Sequence, residues 1–450
     1  MKDDASRGAL SWLAVAITAM AFMGVYAFLI VLSRAPVIGA LFASPDFFKT
    51  GLVTHVVLAV VIWFLAFVIF LAHHVTKSEP VMGYELTAPA GALLGVLMIV
   101  ATPFTGPAYP TLNNYVPALA RPLYYAGVTL FFISAIAGAL MRAGAVYSSA
   151  FKKNETPAPA AMALLTAGFA LMVGAVCFAV AWIQLSGHGP VNGDVSRIFF
   201  ESLFWGGGHV LQFANTAGLM AVWALLAREF SGSDIVDTKV AGSVFAIMSA
   251  FIIAAPFYYM VEPVFSPENR SFYTQLKGWG LSFGPIVFGV ALAARWGRMG
   301  ARSPEHLGLY ASLALFALGG LIALTIEGSD TRIPAHYHGS IGAVTLGFMT
   351  MGLFVMSANG RLAVRPKWRA IQLGLYAVGQ SLFVTGLFIG GTRGLQRKTF
   401  GVEQKLDDAV KFFSMTVMGI GGLLAIISGA IFVVFMIKAL ARKTASPPSL

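Results

Sequence analysis

Apolar residues run along the chain in stretches long enough to cross a bilayer, each closed by a short polar or Pro/Gly-rich connection. A helix rising 1.5 Å per residue needs roughly 20 apolar residues to cover about 30 Å of hydrocarbon. Such runs lie at 10–33, 51–73, 87–105, 120–141, 160–186 and 198–227, and again at 240–263, 278–297, 307–327, 334–358, 368–391 and 412–440. The pattern predicts an all-α integral membrane protein with twelve transmembrane helices. The first run is too long for a signal peptide and lacks a small-residue cleavage site after it, so it is expected to be retained. No repeat of fixed period is present.

Composition agrees with this reading. Of 450 residues, 58% are hydrophobic and 11% charged, and the mean hydropathy of +0.78 lies outside the soluble globular range. No connection resembles an independent soluble domain. Residues 1–450 are therefore expected to form a single membrane domain, with a twelve-helix core over 10–440 and a disordered cytoplasmic tail at 441–450. The larger share of the Lys and Arg outside the runs lies at the N-terminus, in the even-numbered connections and at the C-terminus. The positive-inside rule then places both termini in the cytoplasm, as in a bacterial cytoplasmic (inner) membrane. The connection after the eleventh run departs from the trend. It puts Arg393, Arg397, Lys398, Lys405 and Lys411 on the outer side, and so calls for an anionic partner there.

The formal net charge of +11 follows from topology and gives no reason to invoke nucleic acid. The single cysteine, Cys177, excludes an intrachain disulfide framework and is expected to be a small buried hydrophobe. Pro and Gly concentrate in three outer connections, 102–118, 186–195 and 261–270, which are expected to cap something on their own side of the membrane.

Four of the eight histidines fall inside the apolar runs, away from their cytoplasmic ends: His55, His209, His336 and His338. Imidazole in a membrane helix is costly unless paired, so each is a ligand or proton-carrier candidate. For His55 or His209 alone, an interhelical hydrogen bond explains the residue equally well. His336 and His338 demand more. Residues i and i+2 of a helix are rotated by roughly 200°, so the two rings leave opposite sides of one rod and need separate partners. Spans two and ten both enter from the outer side with these histidines near their beginnings, so His55, His336 and His338 share one depth. Two rings from different helices at one depth can hold a haem between them, and the third can hold a second haem by a single bond. His73 and His74 end the second run and are expected to be solvated; His188 and His306 lie in connections.

These residues resemble subunit I of the haem-copper oxidase superfamily, which includes the terminal oxidases and nitric oxide reductases. The resemblance covers essentially the whole chain. Its most specific part is Arg332-IPAHYHGSIGAVTLGFMTMG, similar to the family's His-aromatic-His helix; Phe204-WGGGHVLQF and the early histidine of span two match as well. Gly394-LQRKTF looks like the family's basic loop whose cations hold haem propionates. The resemblance implies that His55 and His338 bind a low-spin haem axially and His336 binds a high-spin haem, with Tyr337 between the two ligands. It also implies that Arg397 and Lys398 pair with propionates and that His209 is a ligand of the active-site metal. Electrons would come from an outer-side cytochrome c or copper-containing subunit, and O2 or NO would be the substrate.

The chain departs from the family in span seven, where two consecutive histidines complete the copper site. Here Ala254-APFYYMVEPVFSPE offers Tyr258 and Tyr259 instead, and the family's tyrosine four residues after the span-six histidine is replaced by Phe213. A neutral phenol is a poor copper ligand, so copper is not expected there. Non-haem iron completed by Glu262, Glu201 or Glu327 stays open in principle, although surface or loop roles are favoured for all three. Thr345, Thr350, Ser249 and Lys277 are loose candidates for a proton file. Two other readings remain. One is a copper-less paralogue acting in electron transfer, gas binding or assembly; the other is a twelve-span secondary transporter.

Overall fold

The computed structural model describes residues 7–37, 45–76, 85–106, 109–114, 116–151, 158–187, 194–296, 303–399 and 401–442. The tail expected at 441–450 lies, from 443 on, outside the described residues. The helices are α1 (Arg7–Arg34), α2 (Pro45–Val56), α3 (Trp63–Val75), α4 (Thr87–Ala101), α5 (Pro122–Phe151), α6 (Ala158–Leu185) and α7 (Asp194–Ser231). They are followed by α8 (Thr238–Tyr258), α9 (Pro267–Ala293), α10 (Pro304–Ala323), α11 (Arg332–Ala358), α12 (Pro366–Thr392) and α13 (Ala409–Ala441). One π-helical stretch, Val57–Ile62, joins α2 to α3 within a single span. Among the described residues, twelve helical spans are long and apolar enough to cross a membrane, one at each of the twelve expected places.

Local chemistry sets the helix starts. Asp237 accepts a hydrogen bond from Lys239 N at the head of α8, Ser266 from Asn269 N at α9, and Asp408 from Lys411 N at α13. Pro267, Pro304 and Pro366 occupy the first helical position, where no N–H is needed. The Ser266 cap and Pro267 start α9 eleven residues before the apolar run expected at 278. Tyr273 and Lys277 consequently lie inside a span.

The chain divides into two compact units. One comprises Met20–His55 and Arg302–Leu450 beyond the first few residues, the other Ala5–Ala19 and Val56–Ala301. In the first unit, α12 packs along α13 through glycines: a Cβ on Gly379 would lie 2.6 Å from Ala425 N, and one on Gly386 2.5 Å from Met418 N. Lipid tails supply no hydrophobic drive between spans, so such close approach gives the dispersion contact that holds them together. Ile322, Ala335, Val384, Leu387, Leu395, Met415 and Met418 form an apolar cluster in the same unit.

In the second unit, α5 carries Arg142, 2% exposed, which forms an ion pair with Glu85 and donates from Nε to His73 Nδ1 at 3.1 Å. His73 is thus buried rather than solvated. The missing Cβ of Gly8 leaves room beside its ring, with Nδ1 3.0 Å from where that Cβ would stand. A guanidinium cannot be left dry and unpaired, and His73 is the neutral acceptor within its reach. The pair Pro110–Thr111 (β1) and Ala118–Leu119 (β2) forms a short antiparallel hairpin between α4 and α5. Its loop is anchored to α7 because Glu201 accepts from Asn114 N at 2.8 Å and from Asn114 Nδ2 at 2.6 Å.

Removing one partner of a buried ion pair strands the other charge, at about 3–5 kcal/mol. Glu85→Ala is therefore expected to lower the thermal midpoint in detergent well beyond Asp234→Ala, whose partner Arg228 is 42% exposed. Equal midpoints for the two variants would contradict the assigned role of Arg142.

Candidate functional site

Three of the four intramembrane histidines belong to the first unit. On α2, the His55 ring donates through Nδ1 to the carbonyl of Met23 on α1, at 3.1 Å. On α11, His336 donates through Nδ1 to the carbonyl of Gly319 on α10, at 2.8 Å. A carbonyl oxygen can only accept, so each bond fixes the tautomer in which Nε2 is the basic nitrogen, the form that ligates a metal. The second bond depends on two glycines. A Cβ on Gly339 would lie 2.6 Å from Gly319 Cα, and one on Gly319 would lie 2.7 Å from Ser340 N and 2.9 Å from His336 O. Only glycine at both positions lets α10 come close enough to offer its carbonyl.

His338 leaves the other side of α11, as the two-residue spacing requires. Its ring meets Phe383 edge-on at 4.7 Å, and its carbonyl accepts from Gln380 Nε2 at 2.9 Å. His55 and Arg34 both lie within electrostatic reach of His338, while Arg34 and Arg397 lie within reach of Tyr337. His55, His336 and His338 are all half-buried. Arg34, at the end of α1, has its Nε buried with no hydrogen-bond partner among the described residues, and its carbonyl accepts from Gln404 Nε2 at 3.3 Å. That bond ties the end of α1 to the connection carrying Arg397. Lys398, in the same connection, adopts φ of +62°, a left-handed conformation that non-glycine residues rarely take.

These residues fit a haem held between His55 and His338. His55 is tautomerically fixed and lies within electrostatic reach of His338, and the guanidinium groups of Arg34 and Arg397, near Tyr337, are of the kind that would pair with a carboxylate-bearing ligand. The histidines and Arg397 were candidates from the sequence; Arg34, which the structure brings near Tyr337 and His338, was not. Its only signal was an arginine closing an apolar run.

His209 belongs to the second unit. On α7 it donates through Nδ1 to Trp205 O at 2.6 Å, and its ring centroid lies 4.7 Å from that of Trp205 and 6.2 Å from that of Tyr273 on α9. Trp205 is held in turn by Arg270, whose carbonyl accepts from the indole at 3.2 Å and whose guanidinium lies 5.3 Å from the ring centroid. Tyr273 donates to Ala255 O at 2.7 Å and packs against Tyr259 at 5.4 Å between centroids. Cys177 is fully buried, as expected of a small buried hydrophobe. Gly206 makes this arrangement possible, because a Cβ there would collide with the Tyr259 hydroxyl.

Of the span-seven pair, the structure thus brings Tyr259 to the Tyr273–His209 group. Tyr258 instead stacks on Phe272 at 3.7 Å. Lys277, one turn beyond Tyr273, lies within electrostatic reach of His209. Two of the three carboxylates considered for a non-haem metal are engaged elsewhere: Glu201 accepts from Asn114, and Glu327 has a side chain 88% exposed beside Arg332. Among the described residues, no three His, Cys, Asp or Glu side chains come together as a metal-binding group.

No family model matches the chain. Two curated relatives are uncharacterized proteins. One, from Aquifex aeolicus (strain VF5), is 28% identical over 358 residues, covering 78% of this chain and 84% of its own length. The other, from Rickettsia prowazekii (strain Madrid E), is 24% identical, covering 94% of each chain. Among solved structures, a heme-copper terminal oxidase dimer determined by cryo-EM is similar, with a TM-score of 0.74 and 15% identity over 98% of this chain and 85% of the other. The chain has the fold of a haem-copper terminal oxidase. The twelve-helix architecture expected from the apolar runs is thereby matched over nearly the full length, at an identity that speaks for the oxidase fold alone.

Gly319→Val is expected to push α10 from α11 and destabilise the protein by about 1–3 kcal/mol. Gly320→Val, at a position whose Cβ meets nothing within 4 Å, should cost far less. Comparable losses of thermal stability in the two variants would contradict the close approach that presents the Gly319 carbonyl to His336.

Proposed function

We propose that the protein is a haem-bearing respiratory membrane oxidoreductase of the terminal oxidase or nitric oxide reductase type. What supports this reading is the haem-copper terminal oxidase fold over 98% of the chain, together with His55 and His338 in one unit and within electrostatic reach of each other. His55 and His338 would hold a low-spin haem and His336 a high-spin haem, while Arg34, Arg397 and Lys398 would take the propionates. Bound haem supplies one-electron transfer and, at an open iron position, reduction of O2 or NO.

The chain's own contribution is positional. The Met23 and Gly319 carbonyls aim imidazoles that would otherwise rotate, and Gln380 holds the His338 peptide. His209 sits in a niche of Trp205 and Tyr273, and the Tyr259 hydroxyl lies in the gap left by Gly206; these are the groups assigned to oxygen or nitric oxide chemistry, with Tyr258 set apart against Phe272. On the topology expected from the basic connections, the protein lies in a bacterial inner membrane with both termini in the cytoplasm. A separate cytochrome c or copper-containing subunit would deliver electrons at the outer side.

A copper-less divergent member is the second reading. It is favoured by Tyr259, packed against Tyr273 at 5.4 Å between centroids, standing at a position that the resemblance matches to a copper-ligating histidine. Metal analysis separates the two: iron at about two per chain with no copper supports the divergent form, and copper near one per chain supports a conventional oxidase site.

A reduced-minus-oxidised absorption spectrum of the purified protein is expected to show a low-spin haem band. His55→Ala and His338→Ala should each abolish that band, whereas His336→Ala should leave it in place. A chain without haem, or a normal low-spin band in both of the first two variants, would refute the assignment.

A further inference from the structure

The glycine-tight contact of α12 with α13 also shapes the surface that these two spans present to lipid. Ser428 Oγ donates to the Gln372 carbonyl at 2.6 Å, Gly379 meets Ala425 and Gly386 meets Met418, so the spans run antiparallel along one seam. Counted from Gln372 and Ser428 at 100° per residue, Lys367, Ile371 and Val378 on α12 and Ile427 and Lys438 on α13 are turned in the same sense, by about 80–140°. In an antiparallel pair, rotation in one sense brings both rows to the same side of the seam. All five side chains are exposed. From Lys367 to Val378, and from Ile427 to Lys438, each row rises about 16 Å, close to half of a hydrocarbon core of about 30 Å. The seam therefore offers one leaflet's depth of apolar surface, with a lysine heading each row at the same end.

That end gathers cations without anions. Arg365 stands just before α12 and Arg442 just after α13, both exposed. Arg361 donates from Nη1 to the Arg442 carbonyl at 2.7 Å, which draws the connection before α12 onto the end of α13. Among the described residues, no acidic side chain pairs with Arg365, Lys367, Lys438 or Arg442. The carboxylate of Glu305 is already committed to Arg369 at 2.8 Å. Trp368 is 51% exposed, with Lys367 Nζ 5.5 Å from its ring centroid. An indole so placed marks the headgroup level of a bilayer. A general excess of cations on one side of the membrane accounts for scattered lysines and arginines; it does not require four of them to meet at the head of one apolar seam.

We propose that the α12–α13 seam binds an anionic phospholipid, with its phosphodiester among Arg365, Lys367, Lys438 and Arg442 and its acyl chains along Ile371, Val378 and Ile427. The phosphate accepts charge-assisted hydrogen bonds from the ammonium and guanidinium groups and relieves their mutual repulsion. A zwitterionic lipid carries the same phosphate but brings its own ammonium, so it gains less. An acidic peptide or free phosphate would satisfy the cations and leave the apolar rows uncovered. On the expected topology the lipid belongs to the cytoplasmic leaflet.

Native mass spectrometry of the full chain released from detergent micelles tests the site, with phosphatidylglycerol and phosphatidylcholine of identical acyl chains as probes. Wild type is expected to retain one phosphatidylglycerol at a several-fold lower lipid concentration than it needs for phosphatidylcholine. The double variant Lys367→Gln/Lys438→Gln should lose that preference. Lys239→Gln/Arg295→Gln removes two cations at the ends of α8 and α9, away from the seam, and should keep it. Equal retention of the two lipids by wild type, or a preference lost equally in both double variants, would overturn the proposal. All four substitutions lie outside the hydrocarbon-facing rows' apolar residues and outside the histidine site, and the measurement needs no haem. A chain found to bind no haem would thus sink the functional reading and leave this result standing.

Discussion

An imidazole inside a membrane has two nitrogens to account for, and in this protein a backbone carbonyl takes one of them at His55, His336 and His209 alike. That single bond does two jobs. It removes the cost of a dry N–H, and it fixes Nε2 as the basic nitrogen before any ligand arrives. A helix carbonyl is normally committed to the N–H four residues on, so a neighbouring helix must come very close for its carbonyl to be shared. The Gly319–Gly339 contact between α10 and α11 supplies that closeness for His336. Helix packing and ligand orientation are therefore one constraint: the glycines that bring the spans together are also what aim the histidine.

The charged groups follow the same economy. Arg142 and Glu85 neutralise one another and enlist His73, so one of the most buried cations of the second unit is consumed by structure. Arg34 lies within electrostatic reach of Tyr337 and His338, and Arg397 within reach of Tyr337. Two guanidinium groups near a phenol and an imidazole would suit the carboxylates of the proposed haem. A dicarboxylate ligand there would offset their desolvation and would link the basic connection after α12 to the proposed histidine pair.

Much of this was legible in the sequence, for definable reasons. Apolar runs of membrane length have one structural solution, so all twelve spans appear where expected. The spacing of His336 and His338 on a helix dictates opposite faces, and the structure places one ring toward α10 and the other toward Phe383. What escaped depended on tertiary partners. His73 sits at the end of an apolar run, where solvation was the natural expectation, but Arg142 lies 69 residues away and approaches it only in the fold. Tyr273 and Lys277 follow a polar stretch, and only the Ser266–Pro267 start reveals that α9 reaches back to include them. Arg34 gave no periodic signal. Gly206, one of three consecutive glycines, shows its purpose only once the Tyr259 hydroxyl is seen beside it.

His55 and His338 are the proposed axial ligands of one haem. Near-infrared magnetic circular dichroism of the oxidised protein reports the axial ligand pair of a low-spin ferric haem directly, independent of turnover. The account predicts a charge-transfer band of bis-imidazole ligation in the wild type that disappears in His338→Ala. A band characteristic of any other ligand pair, or a bis-imidazole band that persists in that variant, would contradict it.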